Sequence, residues 1–195
     1  MRVRRGLDRG AVVRAAAELL DESPGREPTL AELAARLGVR SPSLYNHIDG
    51  QDDLRRELAL LGVRELGARL GRAAIGKSGA DALRAIGHAY RAFGRERPGL
   101  YQMTMRAPEP DDRELIVAAE DVLEILRLAL APYELPHDQQ IHVMRGLRSL
   151  AHGFVSLELA GGFGLPQDLD ESYQRLLDAF LAGLSQERLA PEPLD

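Results

Sequence analysis

The sequence contains no cysteine, so neither a disulfide framework nor a thiolate metal site can hold this chain together, a composition that fits a reducing compartment. No run of about 18 apolar residues could cross a bilayer. The N-terminal MRVRRGLDRG carries basic residues without the apolar stretch of a secretory signal, so a cytoplasmic location is expected. Equally absent are G-x-x-x-x-G-K-[ST], G-x-G-x-x-G after a strand, H-E-x-x-H and G-x-S-x-G. Enzyme chemistry therefore has no signature here, and no cofactor is implied. No segment alternates apolar and polar residues between turn signals as a strand would, and there is no internal repeat, low-complexity tract or long heptad run. What remains is an all-α pattern in 195 residues with 45% hydrophobic content, enough to bury one core or a small module beside a larger one.

The most informative stretch that is present is TLAELAARLGVRSPSLYNHIDGQDDL, Thr29 to Leu54. Thr29 followed three residues later by Glu32 is a capping box, which predicts a helix from Leu30. Leu30, Leu33, Ala34 and Leu37 fall at the spacing of one buried stripe, and Gly38 supplies the permissive backbone of a tight turn. Ser41 is a second N-cap candidate with Pro42 at the first helical position, predicting a second helix from Pro42 to about Ile48. Two short helices joined by such a turn are the grammar of a helix-turn-helix, whose second helix enters the major groove N-terminus first. The candidate readers of base edges are Arg40, Ser43 and Asn46; Tyr45 and His47 are candidates for phosphates, and Thr29 and Ser41 for phosphates at helix N-termini.

The formal net charge of −5 is unevenly spread. Within the first 14 residues Arg2, Arg4, Arg5, Arg9 and Arg14 stand against Asp8 alone, whereas the remainder of the chain carries the acidic balance. A basic tip on an acidic body suits a protein that grips DNA by one face without coating it. Arg4 and Arg5 are the expected sequence-independent phosphate contacts.

The segments RGAVVRAAAELLDE, TLAELAARLGV and SPSLYNHIDGQDDL, in this order and spacing, resemble the TetR family of transcriptional regulators. The likeness is nearest to the subgroup with an SPSLYNH recognition helix and a GGFGLP-containing C-terminal domain. LRSLAHGFVSLELAGGFGLPQDLDESYQRLLDAFLAGL extends the resemblance over nearly the whole chain. Two positions depart from it: Gln51 stands where many relatives place a phosphate-contacting Lys, and Ile48 where a Phe is common. The resemblance implies an N-terminal helix-turn-helix domain, residues 1–50, and a helical ligand-binding and dimerisation domain, residues 51–195.

Helical periodicity predicts further helices at about Leu7–Asp21, Asp52–Ile75, Ala80–Glu96, Gly99–Met105, Asp111–Ala131, Asp138–Ala160 and Asp170–Glu187. The last two are apolar on more than one face, which pattern alone explains equally by burial within one chain or by contact with a second copy. The resemblance implies a four-helix dimer bundle there, with Leu150, Phe154, Leu177 and Phe180 as candidate interface residues. It also implies a small-molecule site in the same domain, for which Tyr90, Phe93, Tyr101 and Met144 are candidates. A metal is not expected, since His142 and His152 lie nearly three helical turns apart, too far to chelate together. The expected partners are thus a pseudo-palindromic duplex, a small-molecule effector of unknown identity and a second copy of the chain, with no membrane. The alternative is a helical small-molecule-binding or protein-interaction domain without regulatory DNA binding.

Overall fold

A computed structural model describes residues 7–187. Among the described residues there are nine α-helices and no strand, so the all-α expectation holds. The helices are α1 (Arg9–Glu22), α2 (Leu30–Leu37), α3 (Ser41–Leu44), α4 (Gly50–Ala74), α5 (Gly79–Glu96), α6 (Pro98–Met103), α7 (Arg113–Leu130), α8 (His137–Leu159) and α9 (Leu169–Glu187). A short 3-10 turn at Ala131–Tyr133 follows α7 and was not expected from the sequence. No described helix is long and apolar enough to cross a membrane. The chain divides into two compact units: one of residues 7–65 and 96–119, the other of 66–95 and 120–187. The first therefore runs past the module expected to end at residue 50.

In the first unit α1 begins where Asp8 accepts the amide of Ala11 at 2.6 Å, a side-chain N-cap. Its apolar stripe buries Val12, Ala16 and Leu20 together with Leu33 of α2, Leu44 of α3, and Ile48, Leu54 and Leu58 at and beyond the entry to α4. The closest approach is between α1 and α6. A Cβ on Gly99 would lie 2.2 Å from the carbonyl oxygen of Leu20, so only glycine lets these backbones meet. Asp21, in the last turn of α1, opposes that helix's own dipole. The amides of Gly99 and Leu100 at the start of α6 offset this, each donating to Asp21 Oδ1 at 3.0 Å, and Arg97 donates to Oδ2.

The second unit is centred on fully buried Leu83, Phe93, Tyr173 and Leu177. Arg91 of α5 is buried among them, with 6% of its side chain exposed. It makes two parallel 2.8 Å bonds to Glu158 near the end of α8 and a 2.8 Å ion pair with Asp170 at the start of α9. Its guanidinium also lies 5.2 Å and 5.1 Å from the ring centroids of Phe154 and Tyr173. A buried cation is tolerable only when paired in this way, so Arg91 fixes both ends of the α8–α9 connection to α5. The Tyr173 hydroxyl donates to the Gly87 carbonyl at 2.7 Å, and its burial pushes the phenol well above its usual range.

Gly99→Ala is expected to cost about 1–3 kcal/mol or more, because the added methyl meets rigid backbone rather than a side chain that could swing away. A urea melt checks this; an unchanged midpoint would show that α1 and α6 are not in such contact.

Candidate nucleic-acid interface

The segment expected to read DNA begins with α2. The Thr29 hydroxyl accepts the Glu32 amide at 3.2 Å while the Glu32 carboxylate accepts the Thr29 amide at 2.8 Å, so the capping box forms as its spacing predicts. Thr29 also donates its hydroxyl proton to Glu32 at 3.0 Å. That hydroxyl is thereby committed to the cap. Helix α2 ends at Gly38, at φ 67°, where Val39 donates to Ala34 and Gly38 to Ala35, the left-handed closure that only glycine adopts without strain.

Helix α3 differs from the expectation at both ends. It starts at Ser41, so Arg40 and not Ser41 occupies the N-cap, and Pro42 is the second residue of the helix. The reason is that the Ser43 amide closes on the Arg40 carbonyl at 2.8 Å. Its α-helical part ends at Leu44 rather than Ile48, with Tyr45, Asn46 and His47 in a turn. The amides of His47 and Ile48 share the Leu44 carbonyl, the Asp49 amide is taken by Asp53 at 2.8 Å, and Gly50, at φ 83°, turns the chain into α4 two residues earlier than predicted. Buried Leu44 and Ile48 anchor this segment from beneath.

The exposed surface of that segment carries Arg40, Tyr45 and Asn46, with Ser41, Ser43 and His47 half-buried beside them. Arg40, Ser43 and Asn46 make no side-chain hydrogen bond within the described residues, which leaves their donors and acceptors available to a ligand. Arg4 and Arg5 lie outside the described residues. Arg9 is engaged within the fold, donating to the His47 carbonyl, Asp53 and Glu57. Gln51 donates to the Pro28 carbonyl at 3.1 Å, tying α4 to the loop before α2 rather than pointing to a phosphate. Arg36 reaches Glu22 and Glu18, joining α2 to α1, and Arg55 of α4 reaches Glu27 in the loop between those helices.

The other candidate residues are dispersed. Tyr90, Phe93 and Met144 are buried in the second unit and Tyr101 in the first. A groove of about 580 Å³ lies in the first unit, its floor including Leu20, Ala59, Met103 and Leu115 and its rim Arg55 and Arg106; none of the four expected effector residues lines it. Of the expected interface residues, Phe154 and Leu177 are buried within the single chain, Leu177 filling the space where a Gly87 side chain would be, while Leu150 and Phe180 are partly exposed. Leu157 of α8 and Leu176 of α9 are exposed, and periodicity alone did not separate them from the inward residues. No group of three or more His or acidic side chains that could hold a metal occurs among the described residues.

A family model for the tetracyclin repressor-like C-terminal domain matches residues 83–180. The uncharacterised HTH-type transcriptional regulator YobS of Bacillus subtilis (strain 168) is 35% identical over 184 residues, covering 94% of this chain and 96% of the relative. The uncharacterised HTH-type transcriptional regulator Rv0681 of Mycobacterium tuberculosis is 33% identical over 156 residues, covering 80% of this chain and 72% of the relative. Among solved structures, a single-residue variant of TetR from Acinetobacter baumannii AYE in complex with minocycline superposes with a TM-score of 0.70 at 23% identity, over 94% of this chain and 99% of the other. The TetR family regulator PfmR from Thermus thermophilus gives 0.64 at 20% identity, over 90% and 96%. These two likenesses speak to the fold.

The Thr29 amide, then Arg26 and the Thr29 hydroxyl, hold Glu32 down to about 2 from its ordinary 4.5. A depressed carboxylate contributes stability that is complete above its unfolded value and lost as pH falls through the folded one. Stability should therefore fall between about pH 4.5 and 2, and Glu32→Gln should shrink that fall. Equal acid sensitivity of the urea midpoint in both proteins would remove the cap as its source.

Proposed function

The chain belongs to the tetracycline-repressor-like (TetR) family and is a DNA-binding transcriptional regulator, and we propose that it is a ligand-responsive repressor. Two copies hold a pseudo-palindromic operator through Arg40, Ser43 and Asn46, and a small molecule bound in the C-terminal part releases it. We place it in the subgroup marked by SPSLYNH and GGFGLP. The observation that carries the reading is the set of uncommitted polar side chains on α3 and its turn, held above buried Leu44 and Ile48. Arg40 suits guanine and Asn46 adenine, since each can form a bidentate pair with that base in the major groove, while Tyr45 and His47 serve phosphates. Arg4 and Arg5 supply the sequence-independent attraction.

Regulators of this family form dimers. In this chain Leu150 and Phe180, joined by exposed Leu157 and Leu176, are the residues of α8 and α9 that offer a partner an apolar face. Gly153 and Gly183 have open space where a side chain would stand, which supports close approach of a second copy. Phe154 and Leu177 support that face from within.

The effector site is proposed in the second unit around buried Tyr90, Phe93 and Met144, while Tyr101 is buried separately in the first unit. A ligand seated among them meets apolar walls, and its binding shifts the helices that carry them. Helix α4 is uninterrupted from Gly50 to Ala74 and carries the resulting shift to the reader. The groove in the first unit favours a second reading, in which the effector occupies existing space there. Met103→Trp blocks an effector of that kind and leaves an interior one unaffected; Tyr90→Ala does the reverse.

Asn46→Ala is expected to cost about 1–3 kcal/mol on an operator selected from random duplexes, with preference relaxed at one base pair. Unchanged preference at every position would exclude α3 as the reader. An effector found by screening metabolites is expected to bind free protein more tightly than the operator complex, as linkage requires; equal affinity for both would exclude release by that compound.

A further inference from the structure

We infer that Arg9 is a positioning residue for DNA reading, joining the end of the recognition turn to α4 rather than adding to the basic tip that meets phosphate. The inference rests on the reading of α3 as the base-contacting element. Arg9 lies one residue beyond the N-cap of α1, among arginines whose sequence position points to DNA. Its guanidinium spans three acceptors on two other segments. Nη1 donates to the His47 carbonyl at 2.7 Å, and Nη2 to Asp53 Oδ1 at 2.5 Å and Glu57 Oε1 at 3.0 Å.

The two carboxylates among them are themselves held. Asp53 uses its other oxygen to receive the Asp49 amide at 2.8 Å, fixing the entry to α4. Glu57 Oε1 also receives Arg56 at 3.0 Å, and Arg56 is clamped by both oxygens of Asp112 at 2.8 Å. The two carboxylates are largely covered, at 19% and 16% exposure, whereas the Arg9 side chain is 44% exposed. The His47 carbonyl follows Asn46 directly, in a segment whose helix has only four residues and cannot hold its own direction. A planar fork joining that carbonyl to two fixed carboxylates sets the angle of Asn46 and Ser43 against α1 and α4; an ammonium, one point charge, does not reproduce it.

Charge makes the test decisive. Glu57→Gln removes a negative charge from the DNA-binding module, so direct electrostatics would tighten binding to every duplex and leave sequence preference unchanged. The joint predicts the opposite outcome for preference: the ratio of operator to random-duplex affinity falls by about fivefold or more in Glu57→Gln. Arg9→Lys, which keeps the charge and loses the fork, is expected to lower the ratio similarly, with the salt dependence on random duplex unchanged. Full-length protein, a selected operator and a random duplex are titrated by fluorescence anisotropy, with melting midpoints measured in parallel. A preserved ratio in either variant overturns the proposal, as does a loss of one unit of salt slope in Arg9→Met, which would put Arg9 on a phosphate. Loss of preference through melting removes random-duplex binding as well and also counts against it. Asn46→Ala separates the two levels: if it leaves the ratio unchanged, the reading of α3 fails, and if it lowers the ratio while Glu57→Gln does not, only the joint fails.

Discussion

A helix of four residues has no stability of its own, because the first turn of a helix costs more entropy than its hydrogen bonds return. Everything around Ser41–Leu44 answers that constraint. Leu44 and Ile48 sink into the core shared with α1 and α2, Gly38 sets the angle at which α2 ends, and the Thr29–Glu32 cap fixes where α2 begins. Beyond α3 the chain passes at once into α4 through Gly50, and Asp53 secures that passage from within α4. The surface that carries Arg40, Ser43 and Asn46 is therefore a property of the whole first unit. On the proposed function, its exposed polar groups gain sequence discrimination only so far as buried Leu44, buried Ile48 and the surrounding ion pairs keep them in one orientation.

How the chain uses its arginines follows from the same requirement. Arg9 and Arg36 are paired with carboxylates of neighbouring helices, Arg55 with Glu27 in the loop between α1 and α2, and Arg56 with Asp112 just before α7, while Arg91 is held by Glu158 inside the second unit. Arg56 holds Asp112 below the usual carboxylate range, and Glu57 with Asp53 raises Arg9 above its ordinary value. In a chain of net charge −5, Arg40 is a described cation without a side-chain partner, and it stands exposed at the start of α3. Gln51, tied to the Pro28 carbonyl, adds one more internal brace.

What was legible in the sequence was what short-range chemistry decides. The Thr29–Glu32 box, the Gly38 turn and the long amphipathic helices depend on residues three to seven apart, and each appears where periodicity and capping put it. The ends of α3 were not legible, because the competition between Ser41 and Arg40 for the cap, and between Leu44 and Asp53 for the next amides, is settled by packing. The ion pairs were hidden for a different reason. Arg9 and Asp53 are 44 residues apart and Arg91 and Glu158 are 67 apart, beyond the reach of any local spacing rule. Leu177 and Leu176 illustrate the same limit for apolar residues. Adjacent leucines on one helix take opposite fates, one buried against Gly87 and one exposed, and only the neighbouring helix decides which.

The central claim is that α3 and its turn read base edges in the major groove as one of two symmetry-related copies. Dimethyl sulfate interference on the selected operator tests it most directly, since methylation of guanine N7 obstructs the major groove alone. The account predicts two patches of interference related by a dyad, with centres about 10 base pairs or a multiple of that apart. A single patch without a dyad, or binding indifferent to N7 methylation at every guanine, would contradict it.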